Sequence, residues 1–137
     1  MAGLVVCLAV LAAVSVHGVL HRWRNGRVCV RGRDEGKRLG AAELGAELGD
    51  RATLVQFSSA FCAPCRATRR ILDEVAGLVP GVTHVEIDAE AHLNLVRTLD
   101  ILKTPTVLVL DADGRVVRRA TGQPRKADVI AALGEAV

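Results

Sequence analysis

Cys62 and Cys65, in the stretch Ser58-Ser59-Ala60-Phe61-Cys62-Ala63-Pro64-Cys65-Arg66, are the residues of this 137-residue chain whose types and spacing most plainly specify a chemistry. The run before them, Thr53 to Phe57, is short, apolar and β-prone, and reads as a buried strand. After them, from Ala67 to Val79, Ile71, Leu72, Val75, Ala76, Leu78 and Val79 recur at helical spacing. The cysteines therefore sit where a strand ends and a helix begins. A helix N-terminus presents unpaired N–H groups and a partial positive charge, which favour a thiolate over a thiol. A lowered thiol pKa makes one cysteine of such a pair a nucleophile. The other, one turn along, is close enough to resolve a mixed disulfide. Pro64 suits the first helical turn, where its missing N–H costs nothing. The expected chemistry is thiol–disulfide exchange.

A C-x-x-C pair can also be half of a zinc site. Here no second C-x-x-C follows, Cys7 and Cys29 are single, and His84 and His92 are eight residues apart, so no metal is expected.

Phe61-Cys62-Ala63-Pro64-Cys65 after an apolar strand, followed by Lys103-Thr104-Pro105-Thr106 before another, resembles the thioredoxin family over roughly residues 39 to 137. The resemblance implies an α/β thioredoxin fold, a central mixed sheet flanked by helices. It implies that Cys62 attacks a substrate disulfide and that Cys65 resolves the mixed disulfide. Pro105 matches the family's cis proline facing the cysteines, and the backbone of Thr104 would pair with an extended substrate segment. Gly122 matches a glycine that lets substrate approach closely. Phe61 and Ala63, with Ala60 and Pro64, would form the apolar lip of the substrate site. No cofactor beyond the Cys62–Cys65 disulfide is implied, and the partners are protein disulfides and an upstream thiol reductant.

Five positions depart from the family pattern. Gln56 stands where a buried aspartate usually assists the resolving thiol, and a neutral amide is no base. His84 falls where a lysine is common, so proton transfer to or from Cys65 is assigned here to His84 beside Gln56. Phe61 replaces the usual tryptophan and Ala63 the usual glycine. Arg70 replaces a kinking proline, which implies a straighter helix.

The elements that must hold these residues follow in order. Residues 2–20 carry no charged side chain, and nineteen helical residues span about 28 Å, close to a bilayer's hydrocarbon thickness. Neither a basic leader nor a small-x-small cleavage site accompanies them, so residues 1–21 are read as a single-pass transmembrane anchor rather than a cleaved signal. Arg22, Arg24, Arg27, Arg31, Arg33, Lys37 and Arg38 follow, opposed by Asp34 and Glu35, in a basic juxtamembrane linker over 22–38. The positive-inside rule then puts the domain, residues 39–137, in the cytoplasm at the cell membrane, and Trp23 fits an interfacial anchor.

Val28-Cys29-Val30 reads as a short edge strand and Ala41 to Leu48 as a short helix. Strands are expected over 53–58, 82–88, 106–110 and 115–120, and helices to about Val79, over 88–100 (Leu93, Val96 and Leu99 on one face) and after Pro124 (Val129, Ile130, Leu133). Asp111-Ala112-Asp113-Gly114 is a turn; a calcium loop would need Glu where Gly122 stands.

The net charge is +3, concentrated in one segment with one aromatic and no recognition motif, which speaks against nucleic-acid binding. With 2 % aromatic residues the core must be built from Val, Leu, Ile and Ala. The leading reading is a membrane-tethered protein-disulfide reductase. Two alternatives are an extracytoplasmic reductase for exported apoproteins, as in cytochrome maturation, and a non-catalytic adaptor using the same groove.

Overall fold

The computed structural model of the chain describes residues 1–24, 28–29, 34 and 36–137. Arg27, Val30, Arg31, Arg33 and Glu35 of the basic segment lie outside the described residues. Helix α1 (Ala2–Arg24) is followed by β1 (Val28–Cys29), α2 (Ala41–Leu44), β2 (Ala52–Ser58), α3 (Ala63–Leu78), β3 (Val82–Asp88), α4 (Leu93–Thr98), β4 (Thr106–Asp111), β5 (Val116–Thr121) and α5 (Lys126–Ala136).

The strands form one mixed sheet in the order β1-β5-β4-β2-β3, with β2 and β3 parallel and the other pairs antiparallel. β2 is buried along its whole length, as a strand covered on both faces must be. Its alternate residues feed two cores. Ala52 and Leu54 join Leu72 and Val75 of α3, Val107 and Val109 of β4, and Val129 and Leu133 of α5. Val55 and Phe57 join Leu44, Val85, Ile87, Leu99, Leu108 and Leu110 on the opposite face. Aliphatic side chains make up both cores, with Phe57 the one aromatic member. Gln56 and Ser58 share the α3-facing side of β2, beyond the apolar cluster, and that placement prepares the site.

Three expected elements are shorter or differently faced. The helix expected over 41–48 stops at Leu44, because Gly45 takes a left-handed φ of 66° and caps it. The helix expected over 88–100 is confined to Leu93–Thr98. Asp88 delays it: its carboxylate accepts from the Glu90 N–H at 2.9 Å and its carbonyl from the Ala91 N–H at 3.2 Å, a turn that competes with helix. Of the face expected there, Leu99 is buried beyond the helix end, Val96 is half-buried and Leu93 is exposed. In α5, Val129 and Leu133 are buried but Ile130 is exposed.

The Asp111–Gly114 turn behaves as its composition requires. Asp111 Oδ1 accepts from the N–H groups of Asp113 and Arg115, at 3.0 and 2.9 Å. Gly114 has φ of 81°, and a Cβ there would lie 2.1 Å from the Leu39 carbonyl oxygen, so no other residue fits without displacing the backbone.

Within α1, Ala2–Trp23 is an apolar span of 22 residues with mean hydropathy 2.4, and the side chains of that span are exposed throughout. Length and composition suffice to cross a membrane. The chain that follows is joined to the sheet. Val28 and Cys29 pair with Ala120 and Arg119, Lys37 accepts from the Val116 N–H, and Leu39 donates to the Gly114 carbonyl. Among the described residues of this segment, Asp34 makes a deep side-chain contact. Arg119, 5 % exposed, donates from Nε and Nη2 to both oxygens of Asp34, 3 % exposed, at 2.8 and 2.7 Å. The same guanidinium reaches the carbonyls of Leu99 at 2.6 Å and Asp100 at 3.3 Å. Its fork is thereby satisfied, which is what allows a charged group so deep in the fold.

Removing one partner of a buried ion pair strands the other charge. Asp34→Ala should therefore lower stability by about 3 kcal/mol, and Asp34→Leu/Arg119→Leu should recover most of it, read by denaturant unfolding.

Candidate dithiol site

Cys62 is the N-cap of α3, with extended backbone at φ −98° and ψ 100°, and Ala63 and Pro64 open the helix. Cys62 and Cys65 are joined as a disulfide with Cα atoms 5.2 Å apart. The Cys62 sulfur accepts from the Cys65 N–H at 3.2 Å, so it occupies the place of a capping oxygen. An N-cap position concentrates N–H donors and the positive end of the helix on that sulfur, and both favour a thiolate once the bond is reduced. Cys62 is half-buried and Cys65 is 2 % exposed. One sulfur is reachable and the other is covered, as sequential exchange between an incoming thiol and an internal one requires.

The loop between α4 and β4 lies against this pair. The Thr104–Pro105 peptide is cis, and Pro105 is buried. The Pro105 carbonyl accepts from the Gly122 N–H at 2.8 Å, which ties the loop to the end of β5, and Gly122 has φ of 91°. The hydroxyls of Ser59 and Thr104 are 2.7 Å apart, and Thr104 Oγ1 lies 4.0 Å from the Cys62 sulfur. Pro64, Thr104, Pro105 and Gly122 line one cleft of about 690 Å³, whose far side includes Gly18 and Trp23 of α1. Phe61, fully exposed at φ 56°, and the exposed Ala60 and Ala63 stand beside the cysteines. Phe61 is held in a backbone region that non-glycine residues rarely adopt, a cost absorbed here at the turn into α3.

Beneath the cysteines, Gln56 is completely buried and hydrogen-bonded on both sides of its amide. Its Nε2 donates to the Cys65 carbonyl at 2.8 Å and to Ser58 Oγ at 2.9 Å. Its Oε1 lies 3.1 Å from His84 Nε2, and His84 Nδ1 lies 2.6 Å from Asp73 Oδ1. The structure thus brings Gln56 and His84 together, but Gln56 meets the Cys65 carbonyl rather than its sulfur. Nearby, Arg69 donates to both oxygens of Glu86, at 2.5 and 2.7 Å. The hydrogen bond from Arg69 holds the Glu86 carboxyl below the usual carboxylate range; burial opposes this, while the Ser58 hydroxyl and the charges of Arg69 and His84 add to it. Among the described residues no three His, Cys, Asp or Glu side chains come together in a way that could hold a metal ion.

Sequence reasoning did not single out Ser59, Ser58 or Asp73. Ser59 adjoins the C-x-x-C motif, and that adjacency was the available signal for it. Asp73 carries no local signal, because its link to His84 spans eleven residues and two elements.

A family model described as Thioredoxin matches residues 41–135. A thioredoxin of Mycolicibacterium smegmatis is 30 % identical over 87 residues, 61 % of this chain and 77 % of that protein. A thioredoxin of Chlamydia pneumoniae is 35 % identical over 69 residues, covering 50 % and 67 %. Among solved structures, chloroplastic thioredoxin z superposes with a TM-score of 0.56 at 27 % identity over 63 % of this chain and 78 % of that one. The Schistosoma mansoni thioredoxin pre-protein gives 0.57 at 18 % identity, over 65 % and 82 %, a likeness of fold.

Because the Glu86 carboxyl is depressed in the folded state, its contribution is present above the unfolded carboxyl's pKa and lost as pH falls through the lower, folded value. Glu86→Gln should therefore flatten the acid limb of thermal stability below about pH 4 and lower stability slightly at pH 7, read by melting curves across pH.

Proposed function

This chain belongs to the thioredoxin family and is a thiol–disulfide oxidoreductase; from that premise we propose that it works as a membrane-tethered reductase of protein disulfides. The observation that carries the reading is the reachable Cys62 and covered Cys65 at the N-terminus of α3, beside the Thr104–Pro105 loop.

In the proposed cycle the reduced Cys62 thiolate attacks one sulfur of a substrate disulfide. A Cys62–substrate disulfide forms, the substrate S–S bond breaks, and the first substrate sulfur leaves as a thiolate. The Cys65 thiolate then attacks the Cys62 sulfur and restores the internal disulfide, and the second substrate sulfur leaves. Two electrons pass to the substrate, whose thiolates take protons from solvent. A thiol reductant returns two electrons to the Cys62–Cys65 disulfide. Substrate lies across the cleft as an extended segment, pairing with the backbone of Thr104, with Phe61, Ala63 and Pro64 as apolar lip and Gly122 as the point of close approach.

Residues 2–20 anchor the domain in the cell membrane. A cluster of Lys and Arg side chains follows the apolar run, which supports a cytoplasmic domain. Tethering favours clients at or near the bilayer by raising local concentration without any new contact.

Cys65→Ser should trap mixed disulfides through Cys62 in intact membranes, and mass spectrometry should identify them as membrane-bound or cytoplasmic-facing proteins. Capture of exported proteins would move the domain to the other side of the membrane. With the trap folded and abundant, absence of any captured client would defeat the reductase reading.

A further inference from the structure

The hydrogen bonds around Gln56 fix the state of a histidine beneath the dithiol. The Cys65 carbonyl has no hydrogen to give, so the amide atom 2.8 Å from it must be Nε2. That turns Oε1 toward His84 Nε2, 3.1 Å away, and an oxygen acceptor requires a hydrogen on that nitrogen. At the other end of the ring, Nδ1 lies 2.6 Å from Asp73 Oδ1. The Asp73 side chain is 62 % exposed, where water keeps a carboxylate ionised, and an ionised carboxylate only accepts. The ring therefore donates from both nitrogens, and an imidazole with both hydrogens is a cation.

Its surroundings decide what that charge does. The His84 side chain is 7 % exposed, so its cation is on the protein side of the pair and the Asp73 anion on the solvent side. From β2 it faces the neutral Gln56 and Ser58. From β3, Glu86 is two residues along, and Glu86 is engaged by Arg69 of α3. Arg69 and Glu86 offset one another, and Asp73 is screened by water more than His84 is. What remains toward Cys65 is a positive charge in contact with the amide that holds its carbonyl.

We propose that Asp73 and His84 are positioning residues for the dithiol: Asp73 holds His84 as a fixed cation, and that cation, acting through Gln56, favours the thiolate form of the reduced Cys62–Cys65 pair. A ring already donating from both nitrogens has no lone pair to receive a proton from Cys65. Its role is therefore electrostatic, in place of the proton transfer expected from its position. The inference rests on the dithiol chemistry proposed above, and its test reads thiol reactivity rather than turnover.

The full-length protein, reduced in detergent micelles, is alkylated with iodoacetamide from pH 5 to 9, and the rate at the Cys62–Cys65 peptide is followed by mass spectrometry. His84→Gln should slow alkylation about tenfold on the acid side of the profile, the consequence of a titration midpoint one pH unit higher. Asp73→Asn should do the same to a lesser degree, and its exposed position leaves the fold intact. His84→Lys should restore the wild-type profile, since it returns a cation without the ring. Identical profiles for wild type, Asp73→Asn and His84→Gln would overturn the proposal, as would a failure of His84→Lys to rescue. If Cys65→Ser captured no client while these profiles shifted as described, the inference would stand and the reductase reading would fall.

Discussion

Everything at the active end of this protein depends on one buried amide. Gln56 lies on the strand with no solvent on either side, so each of its hydrogen-bonding groups must find a partner within the fold. It does so by binding the first turn of α3 from below, through the Cys65 carbonyl, and the edge of β3 through His84. The position of the dithiol over the sheet is thereby set by the same hydrogen bonds that make the polar residue tolerable inside. An apolar residue at this position would leave the Cys65 carbonyl and the His84 ring without those partners, each a cost of about 1–3 kcal/mol when buried.

The second constraint is geometric. Thiol exchange needs one sulfur that a macromolecule can reach and another that it cannot. The chain meets this by placing Cys62 at the N-cap, at the half-buried end of α3, and Cys65 inside the first turn, where it is covered. The α4–β4 loop completes the site beside the cysteine pair, held by the Pro105–Gly122 hydrogen bond and the Ser59–Thr104 contact. Behind that loop, the Arg119 guanidinium holds the carbonyls of Leu99 and Asp100 and is neutralised by Asp34, a residue that precedes the first long strand of the fold by eighteen positions. Asp34, in the segment that follows the apolar helix, is thus bound into the domain by a buried ion pair.

Short-range patterns carry what the sequence shows on its own. The strand at 53–58, the helix that follows, the hairpin around Asp111–Gly114 and the apolar N-terminal run each repeat a local physical rule: alternation, 3.6-residue spacing, turn chemistry, or length against bilayer thickness. The errors were local competitions too close for pattern to settle. Gly45 ended a helix that Leu44 and Leu48 both suited, and Asp88 took two backbone donors that a helix starting there would have needed otherwise.

The sequence by itself determined the chemistry and its platform: a C-x-x-C pair at a strand-to-helix junction, a proline-bearing loop before the next strand, and an apolar helix ahead of them. Those are properties of neighbours along the chain, and local sterics and burial enforce them. Only the tertiary structure decided that Asp73 reaches His84, that Gln56 presents its amide to a carbonyl rather than a sulfur, and that Asp34 closes on Arg119 across 85 residues. Such contacts depend on side-chain direction and on which polar groups packing leaves without water. The type and spacing of residues record neither, because the partners sit on elements that only the folded sheet and helices bring together.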